Sequence, residues 1–112
     1  MKPHPFTIHL SPDDQKRLRL LLEHGEYKRQ RRLREALELA LQIPPAADGS
    51  IDVTPRAINC ADWQGSDLWA ALTPLVATIA VTEETQLRHF FAWVLSWVCF
   101  ELKRRFRRRM NL

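Results

Sequence analysis

The period of the apolar residues changes once within the first forty positions, and that change constrains the fold more than any other feature. Phe6, Ile8 and Leu10 alternate with Thr7 and His9, the spacing of a strand with one buried face. Ser11-Pro12 and Asp13-Asp14 follow directly. A serine at that point can accept from a first-turn amide, and proline is tolerated at the first helical position. Carboxylates there complement the positive end of the helix dipole. A helix is therefore expected from Pro12, with Leu18, Leu21 and Leu22 on one face and Gly25 ending it in a left-handed cap. A second helix is expected to restart around Lys28–Gln30. Its stripe would be Leu33, Ala36, Leu37, Ala40 and Leu41, and Pro44-Pro45 would stop it.

This order of strand, helix, glycine turn and helix over residues 5–42 resembles the ribbon-helix-helix family, the MetJ and Arc class of repressors. The segments that carry the likeness are F-T-I-H-L-S before the first helix and R-L-R-E-A-L, Arg32–Leu37, inside the second. The resemblance implies an intertwined homodimer whose paired strands enter the major groove of double-stranded DNA. By position, it implies that Thr7 and His9 face base edges, with Pro5 at the start of the ribbon. It also implies a phosphate held around Lys28, Arg29 and Gln30, and a core of Phe6, Ile8, Leu10, Leu18, Leu21, Leu33 and Leu37. The plainer reading of the same residues is a helical hairpin with an extended N-terminal arm.

Charge supports a polyanionic partner. The net charge of +4 is unevenly spread. Residues 1–42 carry nine Lys/Arg against six Asp/Glu, residues 43–102 two against seven, and residues 103–112 six against none. A polyanion would engage the ends of the chain rather than its middle. The run Lys103–Arg109 holds six cations in seven positions. Two or three would satisfy a helix C-terminus, so Arg104, Arg105, Arg107 and Arg108 are candidate phosphate ligands. Anionic lipid and an acidic partner are the rivals.

Between the ends, residues 43–61 read as a linker with a short strand at Ile51–Thr54, and residues 62–112 as a helical module. Ser66 is expected to cap a helix carrying Leu68, Trp69 and Leu72, which Thr73-Pro74 would interrupt. Thr82 is expected to cap a final helix about 40 Å long, with Leu87, Phe90, Phe91, Val94, Leu95, Val98, Leu102 and Phe106 on its apolar positions. Its uninterrupted apolar part, Phe90–Phe100, is half of what a membrane span needs. Trp63, Trp69, Trp93 and Trp97 are expected to fill a core or an oligomer interface.

Several chemistries are not expected. Gly25, Gly49 and Gly65 are isolated, so no phosphate-cradling loop can form. His4, His9, His24 and His89 lack metal-ligand spacing among themselves or with Cys60 and Cys99, and Cys99 reads as an inert core thiol. The start MKPHPFTIHL lacks a secretory apolar run, and cytoplasmic reduced thiols are expected. The expectation is a mainly α protein: a ribbon-helix-helix unit (one strand, two helices) over 1–42 and a C-terminal helical module. It would be a homodimeric, sequence-specific DNA-binding repressor or plasmid-type accessory factor, without catalytic residues, cofactor or metal. A second protein could dock on the C-terminal helix. The alternative function is a helical adaptor or assembly subunit that does not bind DNA.

Overall fold

The computed structural model describes residues 6–42 and 49–110. His4, Pro5 and Pro44-Pro45 lie outside them. The fold is mainly helical, with one short two-stranded antiparallel sheet. The chain divides into two compact units, Met1–Ala57 and Ile58–Leu112.

The first unit runs β1 (Ile8–Leu10), α1 (Pro12–Glu23), α2 (Gly25–Arg29), α3 (Arg31–Leu41) and β2 (Ile51–Val53). Ser11 caps α1 in a reciprocal box. Its hydroxyl accepts from the Asp14 amide at 3.1 Å, and the Asp14 carboxylate accepts from the Ser11 amide at 3.4 Å. Caps of this kind contribute about 1 kcal/mol. The helix stops at Glu23, before the glycine. Gly25, at φ +62°, instead opens the five-residue helix α2. That extra helix is a departure from the expected two. It buries Tyr27 and delivers the chain to α3. The C-terminus of α3 is closed by Gln42 in the left-handed region (φ 45°).

The short strand expected at Ile51–Thr54 is present as β2, and the second departure is its pairing. β2 pairs with β1 within the same chain, in the register Ile8↔Val53, His9↔Asp52 and Leu10↔Ile51. The expected single strand is thus half of an intrachain ribbon, and Ile51–Val53, expected in a linker, belongs to the first unit. Gln15 explains why the strands meet. Its side-chain amide is buried in phase with Leu18 and Leu22, and donates to the carbonyls of Leu10 (3.2 Å) and Gly49 (2.9 Å). It ties the end of one strand to the approach of the other. The Arg56 amide then bonds the Ala40 carbonyl near the end of α3 at 3.0 Å, satisfying a group that a helix terminus leaves open. Ile8, Leu10, Leu18, Leu33 and Leu37 form the core as expected, while Phe6 and Leu21 are only half-buried. Each fully buried aliphatic side chain contributes about 1.5–3 kcal/mol.

The second unit is a helical hairpin, α4 (Gly65–Val81) and α5 (Thr85–Arg109). Pro74 does not interrupt α4. It is buried inside a continuous seventeen-residue helix, which forgoes only the hydrogen bond that proline cannot donate. The caps also differ from expectation. Gln64, not Ser66, is the N-cap of α4. Thr82 closes α4 rather than opening α5, whose N-cap is Glu84, accepting from the Leu87 amide at 2.7 Å. Leu68, Ala71 and Leu75 on α4, and Leu87, Phe90, Phe91, Val94 and Val98 on α5, are buried. Phe90 and Phe91 meet edge to face at 5.3 Å, and Trp93 and Trp97 do so at 6.0 Å. Of the four tryptophans Trp63 is buried and Trp93 and Trp97 are half-buried, whereas Trp69 is 64% exposed.

Candidate nucleic-acid interface

Alternation along the ribbon sorts its side chains into two rows. Ile8, Leu10 and Val53 are buried, while Thr7, His9, Asp52 and Thr54 are exposed. Pairing aligns the outward row across the strands. The Thr7 and Thr54 hydroxyls are 3.2 Å apart, and His9 Nδ1 lies 2.7 Å from Asp52 Oδ1. An ionised carboxylate only accepts, so Nδ1 carries the proton and donates to Asp52. The side chains of His9 and Asp52 remain 61% and 68% exposed. Asp52 and Thr54, which the N-terminal pattern alone could not include, thus join Thr7 and His9 in one row.

The expected phosphate contacts of the first unit are displaced by the extra helix. Lys28 and Arg29 lie in the last turn of α2, and Gln30 is the N-cap of α3. The first-turn amides of α3 belong to Arg31, Arg32 and Leu33, and that turn holds no acidic residue. Cations therefore surround a helix start where the dipole alone would favour anions. Some are paired: Arg29 with Glu26 at 3.3 Å, and Arg31 with Glu35 at 2.8 Å. The hydrogen bond from Arg31, with its charge and those of Arg32 and Arg34, holds the Glu35 carboxyl below its ordinary value against the opposing effect of desolvation. These pairs are solvent-exposed, the kind that contributes little to stability and is readily exchanged.

The C-terminal cations divide into two groups. Glu101 is buried on α5, with residue exposure of 5%. It accepts from Arg104 at 2.8 Å and from Arg105 at 3.0 Å. Burial alone would raise its pKa, but the hydrogen bonds and charges of the two arginines outweigh that and lower it. Arg105 also donates to the carbonyls of Ala61 and Trp63, fastening the segment before α4 to α5. Its guanidinium is a structural clamp rather than the free phosphate ligand that the run of arginines suggests. Cys60, in the same segment, lies 3.6 Å from the Trp97 carbonyl. Burial, then the nearby Glu101 charge, push its thiol pKa up, which suits an unreactive thiol.

Lys103, Arg104, Arg107 and Arg108, with Phe100, line an open groove of about 530 Å³. Lys103, Arg107 and Arg108 are exposed. The groove combines four cations with one aromatic face, the composition of a phosphate-binding surface with a stacking element. Among the described residues no group of His, Cys, Asp and Glu could hold a metal ion, and no helix is long and apolar enough to cross a membrane. Comparison with family models, curated proteins and solved structures finds no match for this chain.

Proposed function

We propose that this protein is a sequence-specific binder of double-stranded DNA, acting in the cytoplasm as a repressor or plasmid-type accessory factor. The observation that carries the reading is the outward row Thr7, His9, Asp52 and Thr54 on a two-stranded ribbon. A major groove about 12 Å wide admits such a ribbon. Hydroxyls and an imidazole can donate to or accept from base edges, and a carboxylate can accept from the cytosine amino group. Because β2 supplies the second strand, one chain already presents a complete ribbon. Reading then does not require a strand from a second copy, unlike the intertwined arrangement that the resemblance implies.

Phosphate contacts come from Lys28, Arg29 and the start of α3, and from Lys103, Arg104, Arg107 and Arg108. These fix position without reading sequence. Fluorescence anisotropy with a random-sequence duplex at several salt concentrations tests the reading. Log affinity should fall linearly with log salt, with a slope of about −0.9 per phosphate neutralised. The Arg107→Gln/Arg108→Gln variant should weaken binding to every sequence and flatten the slope by roughly 2. Absence of binding at low salt would leave the adaptor reading in its place, favoured by the charge-free outer face of α4.

A further inference from the structure

The outer face of α4 is the largest feature that the DNA reading does not use. Between Asp67 and Glu83 the chain carries no charged residue. One side of the helix, Leu68, Ala71, Leu75 and Thr78, is buried. The opposite side is also apolar for most of its length, with Trp69 64% and Val76 53% exposed. Soluble surface helices ordinarily put charge on that side, and a helix apolar all round is ordinarily covered all round. The outward residues Trp69, Thr73, Val76 and Ala80 are spaced four, three and four apart, the 3.5-residue repeat of a helix–helix seam.

We propose that α4 is the seam of a homodimer, packing antiparallel against α4 of a second copy about a two-fold axis between Pro74 and Leu75. Residue sizes along the face single out a second copy as the occupant. In that register Trp69 meets Ala80 and Val76 meets Thr73 of the other copy. The large indole at each end faces the small Ala80, and the two middle pairs match side chains of similar size, Val76 and Thr73. An isologous interface needs that self-complementarity, and alternating large and small residues lets facing helices interdigitate. A partner of unrelated sequence would not require it.

Charge agrees, since a chain of net charge +4 associates with itself most readily through a face that brings no like charges together. Area agrees as well. Trp69 alone leaves about 150 Å² open, by the usual size of an indole. With its apolar neighbours each copy offers roughly 500 Å², or about 1,000 Å² for the pair, where specific interfaces begin. The proposal is independent of DNA binding and stands or falls separately from it.

Sedimentation velocity of the full chain, from 1 to 100 micromolar in about 0.15 M salt to screen its net charge, tests it. The expected result is a reversible species of twice the 13.1 kDa chain mass. Val76→Lys should reduce association at least 100-fold, with unchanged far-UV circular dichroism because the position is exposed. Trp69→Ala, a milder truncation, should weaken it about 30-fold. The swap Trp69→Ala/Ala80→Trp should recover most of that loss, because it exchanges the two members of one contact and restores them across the axis. A wild-type chain that sediments at single-chain mass up to 100 micromolar overturns the proposal. So does a dimer that persists in folded Val76→Lys, or a swap no better than Trp69→Ala alone.

Discussion

Replacing Glu101 with Gln removes one negative charge from beneath two guanidinium groups while nearly preserving shape. Breaking a fully buried ion pair by removing one partner costs about 3–5 kcal/mol. Here the carboxylate is 7% exposed, but the side chains of Arg104 and Arg105 are 38% and 29% exposed. Solvent takes up part of their orphaned charge, and Gln still offers one acceptor. A loss of about 2 kcal/mol follows. For a unit of this size each kcal/mol moves Tm by about 4–8 °C, so the second unit should melt roughly 10 °C lower.

All four tryptophans lie in that unit, so fluorescence during thermal or urea unfolding reports it directly. The pH dependence fixes the mechanism. The folded Glu101 carboxyl has a lowered pKa, so the folded state binds its proton less readily than the unfolded chain, whose value is about 4.3. Its contribution is fully present above about pH 5 and is lost as pH falls through the folded-state value. The gap between wild type and variant should be constant from pH 5 to 7 and should narrow below about pH 4. A shift under about 3 °C at pH 7, or an undiminished gap at pH 2.5, would mean that the two guanidinium groups do not depend on the Glu101 charge.

Two further predictions use the backbone and the ribbon. Gly25→Ala should destabilise the first unit by about 1–2 kcal/mol, because φ is +62° although no atom lies within 4 Å of the added methyl. Gly65→Ala, with equal room and no positive φ, should stabilise the second unit by about 0.4–1 kcal/mol. Urea titrations followed by circular dichroism should show the two opposite signs. Thr7→Ala/His9→Ala should leave both units folded and random-duplex affinity nearly unchanged. After selection of a preferred duplex, each lost base contact should cost about 1–3 kcal/mol of discrimination, read as the affinity ratio of selected to random sequence.

What the amino-acid order disclosed was local, and what it concealed was tertiary. Ser11-Pro12 and the Ile8/Leu10 alternation announced a strand and a capped helix, because both signals act within one turn or one strand. The pairing of β1 with β2 was hidden, since it joins residues more than forty apart and rests on the buried Gln15. The usable signal was Gln15 itself, a polar residue in phase with Leu18 and Leu22. Asp52 and Thr54 were therefore absent from the expected reading row. The short helix α2 escaped because Gly25 suggested a stop, whereas its positive φ serves as a joint. Arg105 was indistinguishable by sequence from the arginines beside it. Only its bonds to the carbonyls of Ala61 and Trp63, more than forty residues away, separate this clamp from a surface cation. Pro74 looked like a break, yet tertiary packing of α4 on α5 outweighs one missing hydrogen bond.

The proposed DNA binding requires that the outward row of the ribbon meet the duplex. Backbone amide chemical-shift mapping of the isotopically labelled full chain, titrated with a twenty-base-pair duplex in about 0.1 M salt, tests it most directly. The largest perturbations are expected at Thr7, His9, Asp52 and Thr54 and in the first turn of α3, with a second group at Lys103–Arg108. Perturbations confined to Lys103–Arg108, with the ribbon amides unmoved at saturation, would contradict it and leave a basic helix end as the only contact.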